Sequence, residues 1–349
     1  MPRIRFNLAT VCLIVCTTLI FVIVEYQGRE PTSQLSPKPT AAMTPSSTPV
    51  LNPLEIPAIQ ARGYTASPIN TERMLGEQGG YTSSVASYQS DGYKEYALVA
   101  TPDTPKPANG YPVIILIHGY IPPTSYQTVS SDYRDWIASW AKAGFVVIKP
   151  DLRGNGQSQG MAQSGHFSPD YTYDVLNLVA SLKSYPLVDA KRIALAGHSM
   201  GGHVALRVAV VSRDIKATIL INGVVGSMYD IFFNWPNSPA PFDQPTAAVK
   251  AAHQALTDQY GDPKTNPTFW NQASAINFVS QIIGPVQIDH DTGDSVVPVA
   301  FSQRLADALT AAHKSVSFYR YPGDDHQFSL PANHALLLER TDSFLKASL

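Results

Sequence analysis

The residues best suited to chemistry are Gly197-His198-Ser199-Met200-Gly201-Gly202, which stand between the apolar run Arg192 to Ala196 and a helical stretch from Met200 to Val211. A G-x-S-x-G turn between a strand and a helix holds its serine in a strained, exposed pose, and side chains at either glycine would collide with neighbouring backbone. The Ser199 hydroxyl then stands at a helix N-terminus, where amides can stabilise developing negative charge. Serine is a weak nucleophile at neutral pH, so a histidine must take its proton and a carboxylate must fix that histidine's tautomer. Downstream, Pro285 to Pro298 runs from an apolar strand into an acidic loop where Asp289, Asp291 and Asp294 compete for the acid's role. Asp294, past the Thr292-Gly293 bend, is best placed to reach a histidine, and Asp291 is the alternative. Tyr321 to Phe328 follows another expected strand and contains His326, the expected base. His334 begins a helix and His198 sits in the serine turn pointing elsewhere, so both are read as structural.

Such a site needs a scaffold of strands ending in loops. Continuous apolar runs at 113–117, 145–148, 193–196 and 217–221 have the composition of strands covered on both faces. Helical patterns separate them at 133–142 and 174–183, the second with Val175, Leu178, Val179 and Leu182 on one face. The pattern resumes with strands at 286–288 and 316–321 and helices at 301–311 and 334–345. Strands alternating with helices predict an α/β fold, a mostly parallel sheet with helices on both faces. Tyr81 to Gln89 and Tyr93 to Thr101 flank Ser90-Asp91-Gly92 and predict an antiparallel entry hairpin.

Composition narrows the chemistry further. The 25 Lys+Arg and 27 Asp+Glu give a formal net charge of -2, without the cationic field that a nucleic acid partner requires. The two cysteines, Cys12 and Cys16, fall in the first apolar stretch, so the rest of the chain has no thiol for a disulfide, a zinc site or a nucleophile. No cofactor or metal is expected. Arg3 and Arg5 precede 19 uncharged residues, Phe6 to Val24, close to the roughly 20 needed to span a bilayer. No A-x-A-like cleavage site follows, which favours an uncleaved anchor over 1–26, a cleaved signal peptide being the alternative. The arginines would stay in the cytoplasm and send the remainder of the chain outward. Residues 27–58 are rich in Pro, Ser and Thr and are expected to form a linker, with one catalytic domain over 59–349.

The motif order Ile117-His118-Gly119-Tyr120, Asp151 to Ser158, Gly197 to Gly202, Trp270 to Ser274, Asp294 to Pro298 and Gly323 to His326 resembles the α/β-hydrolase superfamily. Within it, the chain is similar to the catalytic domain of the prolyl oligopeptidase-like serine peptidases over roughly residues 92 to 346. That resemblance implies an oxyanion hole combining the Met200 amide with a donor from Tyr120, either its backbone amide or its phenol. It also implies a structural role for Arg153 and Gly154. Two departures from the family stand out: Asp291 occupies a position that is often glycine, and only the tether and a strand pair precede Tyr111, where the oligopeptidases usually place a β-propeller.

Between the strands ending at Ile221 and beginning at Pro285, an insertion at about 223–282 is expected to cap the site. Its Phe232 and Trp235 are the candidate pocket residues, since concave sites are mostly apolar. The expected activity is hydrolysis of a small peptide through an acyl-enzyme, outside the cytoplasm. A carboxylic ester hydrolase of the same mechanism and a catalytically silent surface scaffold are the alternatives.

Overall fold

The computed structural model describes residues 51–163, 165–235 and 247–349. The expected anchor, and the linker up to residue 50, lie outside the described residues. The domain is built on a nine-stranded sheet in the order β1-β2-β3-β5-β4-β6-β7-β8-β9. Strands β1 (Asn70–Glu77), β2 (Tyr81–Ser90) and β3 (Tyr93–Pro102) are antiparallel, and β3 continues antiparallel onto β5 (Val146–Pro150). From β5 through β4 (Tyr111–Ile117), β6 (Val188–His198), β7 (Ile215–Ile221), β8 (Val286–Asp291) and β9 (Val316–Tyr321) all pairings are parallel. The entry hairpin turns at Asp91 and Gly92, both at positive φ (52° and 85°), as a two-residue turn that matches strand twist requires.

Strand β4 shows why the parallel strands read as unbroken apolar runs. Val113, Ile115 and Ile117 point into one hydrophobic layer, and Ile114 and Leu116 point into the other. The first layer is closed by α1 (Ile56–Ala61), α3 (Asp170–Leu182), α4 (Met200–Val211) and α8 (Val299–Ala311). The second is closed by α2 (Arg134–Lys142), through Trp136 and Trp140, and by α9 (Pro331–Ser348), through Leu337 and Leu345. The insertion after β7 contains α5 (Met228–Phe233), α6 (Ala247–Tyr260), α7 (Pro267–Ala273) and a 3-10 turn, Ala275–Gln281. Strand order reverses about β4, whose neighbours β5 and β6 follow it in the chain on opposite sides. Ligand crevices form at such switch points, beyond the carboxyl ends of the strands.

The start of the folded unit differs from the expected residue 59. Leu54, Ile56 and Ile59 are buried in the first layer, and the buried Arg207 guanidinium donates to the carbonyls of Leu54 at 2.5 Å and Ala273 at 2.9 Å. A proline-rich segment thus supplies core residues and the acceptor for a buried cation. Removing residues 1–58 should lower the melting temperature sharply relative to removing 1–50, because an apolar cluster and an Arg207 acceptor disappear together. Equal melting temperatures for the two truncations would contradict this boundary.

Arg153 pairs with Asp174 at 2.6 Å and Asp91 at 2.9 Å. Glu95 is fully buried nearby, and burial followed by the charge of Asp174 raises its pKa to about 8. The folded state therefore holds a proton that the unfolded chain releases at an ordinary carboxylate pKa. The associated stability is complete below that pKa and is lost as pH rises through about 8. Glu95→Gln should flatten the fall in melting temperature between pH 6 and 9, and an unchanged slope would refute the assignment.

Candidate active site

Ser199 follows the last residue of β6 at φ 55° and ψ -121°, a backbone conformation that side chains rarely adopt. Three close approaches hold it there. A Cβ at Gly197 would collide with the Gly201 backbone, one at Gly201 would collide with the Ile117 carbonyl, and the Ser199 carbonyl accepts from the amides of Gly202 and Val224. The next amide, Met200, opens α4 and has no partner within the helix.

Asp294 and His326 come together from the loops after β8 and β9, with His326 Nδ1 2.7 Å from Asp294 Oδ2. The other Asp294 oxygen accepts from the amides of Val296 at 2.8 Å and Val297 at 2.9 Å. Burial alone would raise the Asp294 pKa. The hydrogen bond and charge of His326, joined by the two amides, outweigh it and hold the carboxyl below its ordinary value. An ionised Asp294 accepts a hydrogen bond from His326 Nδ1–H and leaves the lone pair of Nε2 free.

Asp291 and Asp289 do other work. Asp291 Oδ1 accepts from the amides of Gly293 at 2.6 Å and Asp324 at 3.0 Å, tying the acid loop to the histidine loop. Asp289 is buried with Tyr321 and Gln287 as donors, and burial raises it to about 7. His334 stands in α9, 3.8 Å from Asp135 and at the cavity rim. His198 lies closer to the site than its sequence position suggested. Its ring faces His326, with centroids 4.8 Å apart, and contacts the histidine loop.

Ser199 and His326 open onto one cavity of about 500 Å³, which Tyr120, Tyr133, Trp136 and Val296 also line. Tyr120 is exposed on its rim. Gly119 N–H donates to Tyr133 Oη at 2.8 Å, so that amide is already engaged. The candidate pocket residues Phe232 and Trp235 are not among the described residues lining this cavity. Phe232 is buried between Phe167 and Trp270, and Trp235 packs on Phe301 with its indole N–H on the Val296 carbonyl at 2.7 Å. Both aromatics pack the insertion onto the domain, and among the described residues none of the insertion lines this cavity. The expected cap at about 223–282 includes residues 236–246, which lie outside the described residues.

The BD-FAE family model matches residues 100–309. The chain is 24% identical over 254 residues to the uncharacterized peptidase YtmA of Bacillus subtilis, covering 73% of this chain and 90% of YtmA. It is 26% identical over 285 residues to a probable dipeptidyl-aminopeptidase B of Emericella nidulans, covering 76% of this chain but 28% of that protein. The acetyl xylan esterase from Paenibacillus sp. R4 superposes with a TM-score of 0.64 at 17% identity, over 84% of this chain and 92% of the esterase. With a serine turn after β6, a carboxylate after β8, a histidine after β9 and a family match across more than half its length, the chain belongs to the BD-FAE family and has the α/β-hydrolase fold.

Proposed function

We propose that this serine hydrolase cleaves small peptides through an acyl-enzyme, with Ser199 as nucleophile, His326 as base and then acid, and Asp294 as the orienting carboxylate. The observation that carries the reading is the Asp294–His326 pair, 2.7 Å apart, opening onto the same cavity as Ser199. Ser199 Oγ attacks the substrate carbonyl while its proton passes to His326 Nε2. The carbonyl electrons move onto oxygen, where the Met200 amide and Tyr120 stabilise them. Collapse expels the amine, which takes the proton from His326, and water repeats the sequence to free the acid and regenerate Ser199.

Peptide substrates are favoured by relatives named as a peptidase and a dipeptidyl-aminopeptidase. An ester substrate is the second reading, favoured by the acetyl xylan esterase whose fold matches over 92% of its length. A panel of aminoacyl p-nitroanilides and short-chain p-nitrophenyl esters separates the two. Higher kcat/KM on an anilide than on every ester supports the peptidase reading, and the reverse ranking supports the esterase.

The catalytic domain is further proposed to lie outside the cytoplasm, tethered by residues 6–24. The support is the 19-residue uncharged run behind Arg3 and Arg5. Protease added to intact cells should remove the catalytic domain, and full protection there with digestion after lysis would overturn the orientation.

A further inference from the structure

The backbone carbonyl of His326 accepts hydrogen bonds from two buried side chains at neighbouring strand ends. His198 Nε2 lies 2.9 Å from it and Asn222 Nδ2 lies 3.1 Å from it. A carbonyl oxygen has two lone pairs, so both are engaged.

Each donor is itself held from behind. His198 closes β6 next to the nucleophile, and burial followed by the charge of His326 lowers its pKa to about 3. The ring is therefore neutral, and since Nε2 must carry the proton given to His326 O, Nδ1 can only accept. Tyr133 Oη–H supplies that bond at 2.9 Å while accepting from Gly119 N–H at 2.8 Å. Asn222 follows β7, fully buried, at φ 43°, a left-handed conformation that asparagine tolerates. Its Oδ1 accepts from the Asp291 amide at 2.9 Å, and its own amide donates to the Asp289 carbonyl at 2.9 Å. One oxygen atom thereby gathers the nucleophile strand, the acid strand and the loop after β4.

We infer that His198 and Asn222 are positioning residues for the base: they fix the His326 peptide, and through it the imidazole between Asp294 and Ser199, with each partly covering for the other. This rests on the triad reading above. A displacement of about 1 Å in a reacting group can cost on the order of a hundredfold in rate, so a loop histidine gains from having its backbone held at both lone pairs. If the two side chains merely satisfied buried polar groups, their loss would appear in stability and leave the turnover of the folded enzyme intact.

The variants separate the donor from the rest of the side chain. His198→Gln retains an amide N–H that reaches toward His326 O, whereas His198→Asn retains an acceptor for Tyr133 and loses that donor. Asn222→Asp keeps the acceptor for the Asp291 amide and loses the donor. His198→Asn and Asn222→Asp are each expected to lower kcat about tenfold, the worth of one buried hydrogen bond, with KM held within about twofold. His198→Gln should retain at least half of the wild-type kcat. The double variant should lose more than the product of the single losses, because each single variant keeps one donor on the shared acceptor. Melting temperatures and the rate of inactivation by a fluorophosphonate are measured on the same preparations. Equal losses in His198→Gln and His198→Asn, or a double variant at or below the product, would overturn the inference. If Asn222→Asp does not fold, the His198 pair decides alone. Wild-type protein that is not labelled at Ser199 would defeat the triad reading itself, whereas variants labelled at the wild-type rate would defeat only the positioning role.

Discussion

Ser199→Ala is expected to lower kcat by about a millionfold, leaving a residual rate of about a thousandfold over the uncatalysed reaction from oxyanion contacts and binding. The covalent intermediate needs an oxygen at this position, and water cannot occupy the same point with the same approach. Folding should be unaffected, because the side chain opens onto the cavity and its loss leaves no void in either hydrophobic layer. Ser199→Gly should be equally inactive but more stable than Ser199→Ala, since glycine alone is relaxed at φ 55° and ψ -121°. Matched circular dichroism and melting curves, read beside a progress curve on the best substrate, separate lost chemistry from lost structure. Turnover of either variant above about a thousandth of wild type would show that Ser199 is not the nucleophile.

Asp294→Asn is expected to cost about ten-thousandfold in kcat. The asparagine oxygen can still accept from the amides of Val296 and Val297, so the loop should keep its shape. Its amide N–H then faces His326 Nδ1, which must become an acceptor, and the ring proton moves to Nε2. A base whose only free nitrogen already carries a proton cannot take another from Ser199. Asp291→Asn behaves differently, because its oxygen still accepts from Gly293 and Asp324 and a carboxyl already raised by burial loses its charge. Activity within tenfold of wild type is expected there, while Asp291→Ala strands two amides and should lower the melting temperature. An inactive Asp291→Asn beside a nearly normal Asp294→Asn would move the acid three residues upstream.

The sheet was legible because β4 to β7 carry apolar residues on both faces, and Asp91-Gly92 is a hairpin turn by composition alone. Strand β1 was not, since Asn70-Thr71-Glu72-Arg73-Met74-Leu75-Gly76-Glu77 is charged, irregularly paired and mostly exposed, with no alternation to read. Helix α1 was hidden inside a proline-rich tract, where Pro57 starts a helix rather than extending the linker. Ser199, Asp294 and His326 could be chosen from strand–loop context because each follows a predicted strand in a fixed order. Phe232 and Trp235 could not be placed, because an aromatic that lines a pocket and one that packs an insertion onto its domain are the same residue type. Asn222 gave no signal at all: its contacts with His326 and Asp291 join residues about a hundred and about seventy positions apart, and only the sheet brings them together.

The most direct test of the central claim is covalent labelling of the wild-type protein with a fluorophosphonate, followed by peptide mapping of the adduct. A single adduct on the peptide carrying Ser199, formed by the wild type and absent from His326→Ala under the same exposure, is the predicted result. An adduct on another serine, or labelling of Ser199 at the wild-type rate when His326 is absent, would contradict it.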